Sequence, residues 1–251
     1  RVLTGADTQT ADATLDAAFV NWTTDHRLRG LAYAIVKLSF NEENLNTVPA
    51  FRFRVRGRKV YDPRLDSTNG GSGTHRLATP TTWAWSRNPV LCANDFLRGV
   101  KVNAINVAGM GLASTRFDWA NVIAEANVCE ENVTLAAGGT EDRYTVDGVL
   151  DPRQSLGECI RHFETAIAGE IVPADGKWRF FAGAYRTPTL ALTDAHFIAP
   201  LQYTVHKGEL ERYDTAEGKY SALAESGTVV NYAPVRLSTA TTGSERLLSL
   251  D

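Results

Sequence analysis

The sequence holds little of what usually announces chemistry. Its 251 residues include one methionine and three cysteines. Cys92, Cys129 and Cys159 are widely spaced, no C-x-x-C occurs, and an odd count supports no disulfide framework. Each falls on an apolar helical stripe, where a thiol serves as a small buried hydrophobe of a protein made in a reducing cytoplasm. His26, His75, His162, His196 and His206 contain no pair at metal-ligand spacing and no H-E-x-x-H, so no zinc motif is present and no metal is expected. GGSGT at 70–74 misses the G-x-S-x-G frame, and GMGLAS at 109–114 lacks the third glycine of a dinucleotide fingerprint. GKY at 218–220 has no glycine-rich loop before it, which excludes a P-loop. No cofactor is expected.

No apolar run is long enough to span a bilayer, and no charged-then-apolar leader opens the chain, so no membrane-spanning segment is expected. Hydrophobic residues at 43% and charged residues at 22% exclude a disordered chain and suit a folded one with a sizeable core. The start at Arg1 without methionine and the end at LLSLD suggest a piece of a longer polypeptide.

Positive charge is concentrated in one place. The net charge is −3, from 26 basic and 29 acidic residues. FRFRVRGRKVYDPR, residues 51–64, holds six of the basic residues and only Asp62 on the acidic side. The remainder then has 20 basic and 28 acidic residues, which argues against general nucleic-acid binding over a broad basic face.

The pattern of 51–61 alternates, with Phe51, Phe53 and Val55 on one side and Arg52, Arg54 and Arg56 on the other. It predicts a strand paired with a buried strand at LAYAIVKLSF, 31–40, through the long loop NEENLNTVPA. Residues 67–80 have no periodicity and predict an exposed, mobile loop. Asn88-Pro89 predicts a helix start, with Gly99 as its stop. Trp119, Val122, Ile123, Ala126 and Cys129 form a second helical stripe beginning near Asp118. Residues 143–151 read as a strand, and Asp151-Pro152 as the start of a third helix carrying Cys159, Phe163 and Ile167. Asp175-Gly176 predicts a hairpin turn, with Trp178, Phe180 and Ala182 on one side of the second strand. Beyond 186 come short β-like runs, TLALT, QYTVHK and TVVNYAPVRLS. Trp119, Ile123, Phe163 and Ile167 are expected in the core. The class is α+β, β-rich, with antiparallel hairpins and about three short helices. Its segments are a β-rich 1–66, a flexible 67–82, a helical 83–135 and an α+β 136–251.

Three roles suit the arginine row. It can be a solvated strand face that discourages edge association, a contact for carboxylates of a neighbouring chain, or a phosphate-facing strip. Among the acidic residues a glycosidase pair can be far apart in sequence, but most Asp and Glu are solvated surface groups and no catalytic constellation stands out.

DHRLRGLAY (25–33), VRGRKVYDPR (55–64), WSRNPVLCANDFL (85–97), FDWANVIAEANVCEE (117–131), RYTVDGVLD (143–151) and GKWRFFAG (176–183) follow one another in a specific order. In that order they resemble the tail-tip attachment proteins of lambda-like long-tailed phages, and the central tail hub proteins of related phages and gene transfer agents. The resemblance covers 25–183 and is weaker at both ends, although NYAPVRLST fits the pattern. It implies tube-like hub domains, two per chain, in a homotrimer that closes the distal tail tube. The implied location is the virion, at the distal end of the tail. The implied partners are neighbouring tail proteins and genomic DNA passing through the channel. It implies a structural, non-enzymatic role in host attachment and DNA ejection, and in a ring it would place Arg52, Arg54 and Arg56 at a subunit interface. The long C-terminal part with fibronectin-like modules and the receptor-binding tip is absent here, so host recognition is not assigned to these residues. A tail-associated peptidoglycan hydrolase and a DNA-contacting channel liner are the alternatives.

Overall fold

The computed structural model describes residues 2–4, 8–29, 31–39, 47–51, 53–102, 105–135, 138–151, 153–199, 202, 213–222, 228–232, 234–236 and 247–250. The chain divides into two compact units, Arg1–Ala184 and Tyr185–Asp251. Helices and small antiparallel sheets alternate, and the fold is a β-rich α+β structure. Among the described residues no sheet closes into a barrel.

In the first unit β1 (Val2–Thr4) pairs antiparallel with β2 (Ala32–Ala34). Between them lies a short helix, α1 (Ala13–Ala18), which the sequence pattern did not announce. Asp12 caps it by accepting from the Thr14 and Leu15 amides at 2.8 and 3.3 Å. The expected buried strand over 31–40 is thus three residues long, and Leu31, Val36 and Leu38 are exposed.

The expected strand over 51–61 does not form. Residues 51 and 53–59 join no ladder, and only Val60 makes an isolated bridge, to Ala84. The physical reason is that alternation supplies two faces but no partner. A strand must also find neighbours for its amides and carbonyls, and the segment expected to provide them is spent on β1.

The loop at 67–80 is not free either. Ser72 N donates to Arg64 O and His75 N to Leu65 O, at 2.8 and 2.9 Å, folding the segment back on the 3₁₀ turn Pro63–Leu65. His75 is buried. Asp66 anchors the arrangement, accepting from Tyr61 Oη, Thr68 N and Arg76 Nη1.

Three helices hold the core. In α2 (Pro89–Arg98) the Asn88 side chain accepts from the Val90 and Leu91 amides, proline occupies the first turn, and Gly99 at φ 78° ends the helix. β3 (Val100–Val102) and β4 (Ile105–Ala108) follow as a hairpin. α3 (Trp119–Cys129) is capped by Asp118 and turns Val122, Ala126 and Cys129 inward. Next are the paired β5 (Asn132–Thr134) and β6 (Thr140–Asp142). Residues 143–151, expected as a strand, join no ladder; Val146 N instead donates to Arg87 O at 2.9 Å. α4 (Leu156–Ala166) starts later than expected. Ser155 and Glu158 satisfy each other's backbone amides in a capping box, so the chain needs no cap at Asp151; Pro152 lies outside the described residues.

β7 (Glu170–Ala174) and β8 (Lys177–Phe181) form the expected hairpin, with Asp175 at φ 52° and Gly176 at φ 75° in its turn. Gly169 before it is obligatory, because a Cβ there would fall 1.9 Å from the Phe181 carbonyl oxygen. Ile171 and Phe180 close the core over Phe117, Val122, Phe163 and Ile167. Trp119 only flanks this core, and Ile123 is half-buried outside it, short of the full burial expected for both.

In the second unit β9 (Thr215–Ala222) is the hub of a four-stranded sheet. β10 (Thr228–Asn231) and β11 (Val235–Arg236) pair antiparallel with successive stretches of it, and β12 (Leu247–Leu250) pairs parallel. Pro234, which has no amide proton for a ladder, separates β10 from β11. Residues 189–193 form no strand, and QYTVHK lies outside the described residues except Gln202.

Candidate functional site

The arginine row divides. Arg52 lies outside the described residues, and Arg54 and Arg56 are exposed. Arg56 sets its guanidinium 5.0 Å from the centre of the Trp85 ring, a cation–π contact at the surface. Phe51 and Phe53, their rings 6.3 Å apart, lie exposed with Val55 on this same uncovered segment.

Arg58 departs from the others. Its Nε donates to Asp95 Oδ2 at 2.8 Å, which ties the segment to the buried face of α2. Its guanidinium also lies 5.7 Å from the Trp83 ring centre. One helical turn along α2 from Asp95, the Arg98 guanidinium lies against two neighbouring aromatic rings, 5.0 Å from the centre of Trp83 and 5.6 Å from that of Tyr61. The Trp83 indole is itself held, its Nε1 donating to Arg76 O at 2.9 Å.

These side chains surround a pocket of about 380 Å³. Arg58, Arg98 and Lys101 give it positive charge, Trp83 an aromatic wall, and Leu77, Pro80 and Leu112 an apolar rim. No carboxylate lines it. Asp95 stands behind the two arginines, where burial pushes its carboxyl up from the ordinary value against the opposing pull of Arg58 and Arg98. Burial likewise pulls the Arg98 guanidinium down, although Asp95 opposes this. Among the described residues, Arg98 Nη1 and Asp95 Oδ1 are buried without a hydrogen-bond partner.

Sequence reading placed Arg58 in the basic stretch but did not single out Trp83, Arg98 or Lys101. The signals were slight: an Asp and an Arg three apart at the end of α2, and a tryptophan after a proline. Nothing in their spacing says that they meet.

Other polar clusters are structural braces. Arg64 reaches Asp62, Asn127 and Glu130 at once, gathering the 3₁₀ turn and the end of α3. Glu125, buried in α3, accepts from the Ala182 amide at 2.9 Å. Burial pushes the thiols of Cys92 and Cys129 up to about 12, which leaves both protonated and poor nucleophiles near neutrality. Among the described residues no group of three or more His, Cys, Asp or Glu side chains could hold a metal ion, and no helix is long and apolar enough to cross a membrane. No protein-family model matches the sequence, and no curated protein matches it.

Proposed function

We propose that this chain is the hub region of a phage-type tail tip, a structural component that assembles as a homotrimer at the distal end of the tail tube. In this reading the ring contacts neighbouring tail proteins and surrounds the path of the genomic DNA. Its tube-like hub domains yield mechanically when receptor binding is transmitted to the tip.

One observation supports assembly above the others. Residues 51 and 53–59 carry a strand's alternation yet have no strand partner among the described residues, and they leave Phe51, Phe53 and Val55 exposed at 45, 58 and 76%. A segment that offers an apolar side, a cationic side and unpaired backbone groups is suited to add to a sheet edge of another chain. The excess of acidic residues outside 51–64 offers carboxylates to Arg54 and Arg56. The ordered sequence blocks point the same way: those at 85–97, 117–131 and 176–183 coincide with α2, α3 and β8, the elements around which the core is built.

Sedimentation of the purified chain tests the proposal. A trimer is expected, and the double variant Arg54→Glu, Arg56→Glu should sediment as a monomer that keeps the circular-dichroism spectrum of the folded chain. A chain that stays monomeric at every concentration would refute assembly through this segment. Gold-labelled antibody on phage particles should mark the distal tail end, and clearing of peptidoglycan suspensions by the purified chain would favour the hydrolase alternative instead.

A further inference from the structure

The pocket beside α2 does something that the assembly reading does not require. Its charged lining is cationic, with Arg58, Arg98 and Lys101 beside the neutral Ser114, while Asp95, which pairs with Arg58, stands outside the lining and opposes only part of their charge. Arg58 and Lys101 are exposed and Arg98 is half-buried, so three cations converge on one open hollow, where their fields add. Arg98, which also lines the hollow, is positioned by the rings of Trp83 and Tyr61. A guanidinium positioned in this way offers its accessible N–H groups to an oxyanion.

The rest of the pocket describes what carries the charge. Trp83 and the rim of Leu77, Pro80 and Leu112 offer dispersion contacts and nothing that hydrogen-bonds strongly. At about 380 Å³ the hollow falls in the lower part of the range for small-molecule sites. It is large enough for a ring or a short side chain bearing one acidic group.

We infer that this pocket is a recognition site for an oxyanion, carboxylate or phosphate, borne on a small apolar or aromatic body. Arg98 is the central anchor, Arg58 and Lys101 are the flanking cations, and Trp83 is the surface on which the body lies. Two sources can supply such a group: a free small acid, or an acidic side chain presented by another copy of this chain.

The test is calorimetric titration of the purified chain with phenyl phosphate, with inorganic phosphate and phenol as the charge-only and body-only comparisons. Saturable binding of phenyl phosphate at one site per chain is expected, tighter than either comparison. It should weaken by about tenfold or more in Arg58→Ala and in Lys101→Glu, because each removes or reverses a charge at the anion. Arg161→Glu, an exposed cation on α4, should leave it unchanged. Arg58→Ala also unpairs Asp95, so its fold is checked by circular dichroism; Lys101 is exposed on β3, and its variant decides the matter if the first unfolds. Failure of the wild type to bind phenyl phosphate, or undiminished binding by Lys101→Glu, would overturn the inference. Inorganic phosphate binding as tightly as phenyl phosphate would overturn the role of Trp83. Sedimentation with saturating phenyl phosphate then separates the sources. Dissociation of an assembly identifies the native anion as another copy's side chain, and an unaltered state identifies a free small acid.

Discussion

Asn88 donates from its side-chain amide to the main-chain carbonyl of Ala126, 2.9 Å away. Its other side-chain atom, Oδ1, meanwhile accepts from the first amides of α2. One buried residue therefore begins one helix and grips the last turn of another, and the two are locked in register by a single side chain.

Replacing it separates those duties. Asn88→Ala removes the cap, worth about 1 kcal/mol, and two side-chain hydrogen bonds, to Ala126 O and Glu130 Oε1, worth about 1 kcal/mol each. Urea unfolding should show a total loss of about 2–4 kcal/mol. Asn88→Ser can still cap but cannot reach Ala126, so it should recover only the capping share.

Asp66 governs the acid limit. Burial alone would raise its carboxyl, but hydrogen bonds from Thr68 and Tyr61 and the charge of Arg76 outweigh burial and lower it from 3.8 to about 2. A carboxyl depressed in the folded state adds stability above its unfolded value and loses it as pH falls through the folded value. Melting temperature should therefore drop as pH falls from about 4 to about 2. In Asp66→Asn the protein should melt lower at neutral pH, with a flatter slope across that acid window.

The thiols should be silent in the native state. Cys129 and Cys159 are buried, and Cys92 and Cys129 are held protonated up to about 12 by loss of solvent. A disulfide reagent at about pH 8, where an open thiol reacts readily, should label no cysteine until denaturant is added. Fast native labelling would contradict the placement of α2 and α3.

Core depth should separate two isoleucines. Ile167, fully buried after α4, should cost about 2–5 kcal/mol when cut to alanine. Ile123 sits half-buried on α3, where its Cδ1 faces Gly70, and Ile123→Ala should cost clearly less. Equal losses would place the 67–74 turn more tightly over α3 than its geometry shows.

Much of the first unit is written in neighbouring residues. Asn88-Pro89 and Gly99 mark the two ends of α2, Asp118 opens α3, and Asp175-Gly176 turns the β7–β8 hairpin. Caps and tight turns are short-range chemistry, satisfied by atoms one to four residues away, so they are legible in a sequence. The same local reading missed Ser155 as the cap of α4, because Asp151-Pro152 offered a similar signal four residues earlier.

Pairing and pocket formation belong to the tertiary structure. Alternation in 51–61 states which side chains share a face, but whether a strand forms depends on a partner elsewhere in the chain, and here 31–40 does not provide one. The arginine row likewise looked uniform in sequence. Packing alone sent Arg58 to Asp95, left Arg54 and Arg56 in solvent, and brought Trp83, Arg98 and Lys101 around one hollow. The sequence by itself determined both ends of α2, the start of α3, the β7–β8 turn and the α+β class, because those rest on local backbone chemistry. Only the folded chain decided where the charges meet, because that depends on contacts between residues tens of positions apart.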